Sequence, residues 1–223
     1  MSNLKNYLAV FLILLYSNVS GQSDNGMEQS VKDYFSVKKI IGRFNFTGLL
    51  DGFDQNISIG VEYRFNTQWS TGSDAAYIFR SVYLSESKNV NGVILRPFIR
   101  YYLSKNGSGF VEAEIHYKYV TYQLTDWIGR EVTNGVPAYE EYTTLIFHKR
   151  AFGLNIKVGD NVNLTRDKKF RLEPYIGLGI RFKKQGVDNG VYGRNRRSFG
   201  AIYDPEYSTI VLPLGMRLVY DIK

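Results

Sequence analysis

Between Asn56 and Asn66 the chain alternates without a lapse. Ile57, Ile59, Val61, Tyr63 and Phe65 fall on one side, and Ser58, Gly60, Glu62 and Arg64 on the other. A strand sends successive side chains to opposite faces, whereas a helix would scatter this apolar set around its whole circumference. The run is therefore a strand with one face in an apolar medium and the other among polar and charged groups.

The pattern returns along the chain. Ile40, Gly42, Phe44 and Phe46 oppose Arg43, Asn45 and Thr47. Thr71, Ala75, Tyr77 and Phe79 oppose Gly72, Asp74 and Arg80. Val93, Leu95, Ile99, Tyr101 and Leu103 oppose Arg96 and Arg100. Val111, Ala113, Ile115, Tyr117 and Tyr119 oppose Glu112, Glu114, His116 and Lys118. Phe152, Leu154, Ile156 and Val158 oppose Gly153, Asn155 and Lys157. Two closing segments repeat it: Leu172, Ile176, Leu178, Ile180 and Phe182 against Arg171, Glu173 and Arg181, then Ile210 to Tyr220 against Gly215, Arg217 and Asp221.

These segments run to roughly 9–13 residues, the length a tilted strand needs to cross a bilayer, where ordinary globular strands average about 5–6. The expected fold is all-β: a closed, antiparallel, up-and-down transmembrane β-barrel of about eight strands over residues 37–223. Connection lengths alternate in support. Asn66–Gln68, Ser104–Gly109 and Gly159–Lys169 are short or moderate, while Ser81–Asn91, Thr125–Tyr142 and Lys183–Glu206 are long, and only Asp51–Gln55 breaks the rule. Short inner turns with long external loops are the outer-membrane pattern. Aromatics gather at the expected inner rim, at Phe65, Trp69, Tyr101, Tyr102, Phe110, Phe170 and Tyr220, where amphipathic rings favour the headgroup layer. Pro97, Pro174 and Pro213 are expected near strand ends, where a missing N–H costs least.

Residues 1–21 read as an export signal: Lys5, an apolar core from Tyr7 to Tyr16, and small or short residues at Val19 and Gly21 before a cut ahead of Gln22. Residues 22–36 are polar, do not alternate, and read as a periplasmic lead-in. The chain has no cysteine, which removes disulfides, thiolate metal sites and a cysteine nucleophile. Its net charge of +7 is spread along the strands, which argues against nucleic acid as a partner.

The runs Arg96-Pro97-Phe98-Ile99-Arg100-Tyr101-Tyr102-Leu103 and Glu173-Pro174-Tyr175-Ile176-Gly177-Leu178-Gly179-Ile180-Arg181-Phe182 resemble strands of small outer-membrane β-barrel proteins typical of Bacteroidota. Gly215-Met216-Arg217-Leu218-Val219-Tyr220 is similar to the C-terminal strand signal read by the barrel-insertion machinery, although the chain ends Asp221-Ile222-Lys223 instead of on an aromatic. The resemblance implies outer-membrane location, that machinery as a partner during biogenesis, and no particular chemistry.

A barrel of eight strands is filled by its own side chains. The inward set would include Arg43, Glu62, Arg64, Asp74, Arg96, Arg100, Glu112, Glu114, His116, Arg171, Glu173, Arg181 and Arg217. Such charges must pair or meet water. An ion-paired filling is expected, with a narrow anion-favouring pore as its rival. Catalytic signals are thin. A lipid A-modifying enzyme needs a nucleophile beside its base, and neither His116 nor His148 has one close in sequence. Glu114 and His116 as metal ligands lack a third donor, and no cofactor is implied. Gly177 and Gly179 lie within a strand, so they are read as relieving crowding and not as a phosphate loop. One basic cluster, Lys183, Lys184, Arg194, Arg196 and Arg197, is expected on the last external loop, by default as a solvated loop and on a sharper reading in contact with lipopolysaccharide phosphates. The function expected is non-enzymatic, structural or surface-interacting, with outer-membrane lipid and lipopolysaccharide as partners. The remaining rival, a soluble secreted barrel holding an apolar ligand, places Ile57, Ile59 and Val61 inside and Glu62 and Arg64 in water.

Overall fold

A computed structural model of the protein describes residues 39–51, 54–81, 88–104, 108–131, 133–134, 136–187 and 206–222. The chain divides between Ser36 and Val37 into two units, and every described residue belongs to the second. The expected export signal (1–21) and lead-in (22–36) lie outside the described residues.

The strands are β1 (Lys39–Asn45), β2 (Asp54–Arg64), β3 (Trp69–Ser81), β4 (Lys88–Tyr102), β5 (Phe110–Arg130), β6 (Tyr139–Gly159), β7 (Val162–Asn163), β8 (Phe170–Val187), β9 (Glu206–Val211) and β10 (Leu214–Asp221). Each of β1 to β5 pairs antiparallel with the next. The two-residue β7 only folds back on β8, so β6 pairs directly with β8. β10 pairs with both β8 and β1, which closes the sheet. β9 and β10 lie end to end along β8 and share one position, giving an antiparallel up-and-down ring of eight strands. Lys39 and Ile222 sit at the same end as the short turns; we call this the near end, and the other the far end.

The alternation sorts side chains by face in the direction expected. Ile59 is 66% exposed on the outside while Glu62 is fully buried within. The same holds for Leu154, Ile156 and Leu178 against Arg100, Glu112 and Glu173. The long apolar rows point away from the interior, while towards the far end Ala76, Ile78, Ile94, Val120, Tyr122 and Phe147 form a buried apolar cluster within it.

Inward glycines make room for long neighbours. A Cβ on Gly72 would lie 2.6 Å from Phe98 Cζ, and one on Gly177 would lie 2.9 Å from Lys157 Cγ. The crowding reading of Gly177 is the one its surroundings support.

Three expectations need correction. First, Thr125–Tyr142 is not a loop for most of its length. β5 and β6 each run 21 residues and stay paired up to Arg130↔Tyr139. Cross-strand contacts sustain this hairpin: Trp127 and Tyr142 have ring centroids 5.3 Å apart, and the Thr125 and Thr144 hydroxyls are hydrogen-bonded at 2.8 Å. Alternation fades there because Glu140, Glu141, Tyr142 and Trp127 are all exposed, so nothing distinguishes the two faces.

Second, Pro97 lies inside β4, not near its end. It is tolerated because the β4–β5 ladder skips Arg96 and Pro97 while keeping the same register on either side. Pro213 does mark a break, since the last ring position is interrupted at Leu212–Pro213 between β9 and β10.

Third, Tyr102 and Phe110 do not belong to the rim. They are 2% and 0% exposed and face inward, sharing the parity of Arg100 and Glu112. The outer rim keeps Phe65, Trp69, Tyr101, Phe170 and Tyr220, with Trp69 packed on Tyr101 at 4.9 Å and Phe170 near Tyr220 at 6.4 Å.

Candidate functional site: an ionic layer inside the ring

Strand pairing places opposite charges side by side. Arg100 on β4 faces Glu112 on β5, Glu112 faces Lys157 on β6, and Glu173 on β8 faces Arg217 on β10. Since all these residues share the inward parity, their side chains converge in the middle of the ring.

Glu112 is the hub. Its Oε2 accepts from Arg100 Nη2 at 2.7 Å, Arg217 Nη2 at 3.1 Å and Arg43 Nη2 at 3.2 Å. Lys157 Nζ stands 3.6 Å from the other oxygen. Arg100 also forks onto Glu173, donating at 2.9 Å and 3.0 Å, and Arg217 Nε lies 2.9 Å from the same carboxylate. Arg43 reaches Asp74 at 3.2 Å, and Arg100 reaches Glu62 at 3.1 Å. Glu62 accepts further from the Tyr102 and Ser70 hydroxyls, the latter at 2.7 Å. Lys157 closes the layer on Glu114, which Asn155 also holds at 2.8 Å.

Aromatic faces fill the remaining space. The Arg43 guanidinium lies 3.7 Å from the Phe98 ring centroid, and that of Arg100 lies 3.9 Å from Phe110, an arrangement that offsets part of the loss of water around a planar cation. The layer sets four cations (Arg43, Arg100, Arg217, Lys157) against five carboxylates (Glu62, Asp74, Glu112, Glu114, Glu173), all of them buried. Near-balance matters because an uncompensated interior charge costs several kcal/mol.

Of the residues expected inside, Arg43, Glu62, Asp74, Arg100, Glu112, Glu114, Glu173 and Arg217 are brought together in this layer. Arg64 and Arg171 sit nearer the short turns. Arg64 donates to the backbone oxygens of Asn66 and Thr67 with its guanidinium over Tyr102, and Arg171 pairs with Asp221 at 2.7 Å. Arg96, His116 and Arg181 lie one step towards the far end and join none of these pairs. His148, on β6, shares a hydrogen bond of 3.0 Å between Nδ1 and the Tyr119 hydroxyl. Among the described residues no three His, Asp or Glu side chains converge as a metal site.

The basic loop also changes. Lys183 and Lys184 belong to β8, paired with Ala151 and Arg150, and they point to opposite faces because they are neighbours on a strand. Arg194, Arg196 and Arg197 lie outside the described residues. Sequence reasoning missed Tyr102, Phe110, Ser70 and Asp54 as interior groups. Parity with Arg100 and Glu112 would have placed the first two. Asp54 was read as loop, yet it is buried against Lys118.

No family model matches this chain, and neither a curated protein nor a solved structure matches it.

Proposed function

We propose that residues 37–223 form an outer-membrane β-barrel whose lumen is plugged by the ionic layer, and that the protein serves the envelope structurally or through surface contacts, without catalysis. The observation that carries this reading is the exposed apolar belt. Soluble monomers rarely expose apolar patches above a few hundred Å², whereas here Ile57, Leu95, Leu154, Leu178 and Leu214 extend one around five ring positions.

The belt has the right height. Along β8 the outward row runs from Phe170 to Phe182. At about 3.3 Å per residue and a tilt near 40°, that row rises roughly 30 Å, against an apolar band of about 25 Å plus its aromatic girdles. Its borders fit as well. Phe65, Trp69 and Tyr220 line the near side. On the far side the register aligns Tyr119, Arg150 and Lys184 across β5, β6 and β8, where basic side chains would meet lipid headgroups. These two positions now carry the lipopolysaccharide contact expected of the basic cluster. Above this border the long β5–β6 hairpin is free to offer a surface to a partner.

The plug is preferred to a pore because its carboxylates are each held by cations, so an ion could pass only by breaking several buried pairs. His116 supports the non-enzymatic reading, since neither ring nitrogen has a protein hydrogen-bond partner that could serve as nucleophile or orienting group. Export by the N-terminal signal, and kinship with the small Bacteroidota barrels, belong to the same proposal.

The test is fractionation and gel mobility. The protein should sediment with envelopes, resist extraction by Sarkosyl, and run faster before boiling than after it. Recovery as a folded protein in detergent-free buffer would contradict the assignment.

A further inference from the structure

We propose that Arg96, His116 and Arg181 form an oxyanion-binding site inside the ring, on the far side of the ionic layer, for a phosphate-type group. The inference concerns the interior alone and stands whether or not the ring lies in a bilayer.

Register sets the three side by side. The register on either side of the β4–β5 break aligns Arg96 on β4 with His116 on β5, and His116 faces Gly153 on β6, which in turn faces Arg181 on β8. Gly153 contributes no side chain between His116 and Arg181, and a Cβ there would lie 2.9 Å from Arg181 Cγ. The charged groups that act most strongly on His116 are Arg181, Arg96, Lys118 and Lys157, all cations.

The nearby carboxylates each hold another cation, including Asp74, which stands across the β3–β4 ladder from Arg96. Glu114 is held by Lys157 and Asn155, Asp54 by Lys118, and Asp74 by Arg43. Arg96 donates to the Ser58 hydroxyl at 2.7 Å, and its Nε has no partner. Arg181 Nε has none either. His116 is 3% exposed, and both of its ring nitrogens are unpartnered. Buried donors without acceptors are rare. Here, donors from three strands are gathered beside carboxylates that already hold other cations. Two guanidinium forks and an imidazole N–H suit a group with several oxygens and negative charge, such as phosphate. The interrupted β4–β5 ladder at Arg96–Pro97 lies beside the site, and Arg96 and Arg181 remain partly accessible.

The source of the group could be free phosphate or a phosphorylated lipid headgroup, and one experiment separates them. The folded full-length protein in detergent micelles is titrated by calorimetry with inorganic phosphate and, separately, with a micellar lysophosphatidate, at constant ionic strength. Saturable binding of inorganic phosphate, weakened about tenfold or more in Arg96→Gln and Arg181→Gln, would establish the site for a free anion. Binding of the lipid alone, with the same loss in both variants, would establish it for a headgroup. Both variants keep a polar side chain at positions outside the ionic layer, so they should fold, as unboiled gel mobility will show. If one did not fold, the rise in the wild-type unfolding midpoint with phosphate, and its loss in His116→Gln, would carry the test. No saturable binding of either ligand, or binding unchanged in the variants, would overturn the proposal.

Discussion

Glu112→Ala should destabilise the folded ring by about 3–5 kcal/mol, the typical result of removing one partner from a buried ionic cluster. The cost arises less from lost attraction than from what stays behind. Arg43, Arg100 and Arg217 all converge on Glu112, and each is at most 1% exposed at the side chain. Without that carboxylate the three guanidinium groups keep Glu62, Asp74 and Glu173 but lose the acceptor they share, which leaves the N–H groups aimed at it unsatisfied in the interior. A useful contrast is Glu141, which pairs with Arg130 at 2.8 Å on the far hairpin but is 49% exposed. Glu141→Ala should change stability by no more than about 0.5 kcal/mol, because water screens and replaces that pair. Urea midpoints of the two variants in the same medium check the comparison. Equal midpoints would mean that the interior is wet and the layer carries little of the stability.

Arginine placed on the outside should give a depth profile. At Leu154, which lies mid-belt on β6 and is 57% exposed, arginine should cost about 2–4 kcal/mol when the protein is folded in vesicles. At Trp127, which is 51% exposed on the hairpin beyond the belt, it should cost no more than about 1 kcal/mol, the worth of its cross-strand ring contact with Tyr142. Exposure in the isolated ring is nearly equal at the two positions, so an excess cost at Leu154 reports the surrounding medium. A soluble ring would accept both arginines, and the one at Leu154 would improve its solubility. Refolding yields and urea midpoints in vesicles measure the profile.

Much of the ring was legible because period-two alternation records a contrast between two media. Wherever one face meets oily surroundings and the other meets charges, as from Asn56 to Arg64, strand, register and sidedness follow together. The outer part of the β5–β6 hairpin escaped because Trp127, Glu140, Glu141 and Tyr142 are exposed whichever face they occupy, so pairing leaves no compositional trace there. Tyr102 and Phe110 escaped for a different reason. Residue type suggested a rim, and parity, which was available, was not weighed against it.

That the residues of the ionic layer face inward could be read from parity. Which inward residues join it could not, since Arg64, Arg96, His116, Arg171 and Arg181 share the parity and stand outside it. Nor could the identity of its hub, because that depends on how far each side chain reaches across the ring. Glu112 and Glu114 share a face and a strand, yet one gathers three arginines while the other is held by Lys157 and Asn155. The separation of Arg96, His116 and Arg181 from the layer has the same origin. Arg96 stands across the β3–β4 ladder from Asp74, yet that carboxylate reaches Arg43, and Glu114, next inward residue to His116 on β5, reaches Lys157.

Whether the oily rows touch hydrocarbon can be measured by fluorescence quenching from brominated lipid chains. The protein has two tryptophans, Trp69 and Trp127. With both changed to phenylalanine and a single tryptophan placed at Leu154, emission should be blue-shifted and quenched most strongly by bromines near the bilayer centre. Trp69 alone should respond best to shallow bromines, and Trp127 alone to none. Water-like, unquenched emission from position 154 in the folded protein would contradict the assignment of that face to lipid.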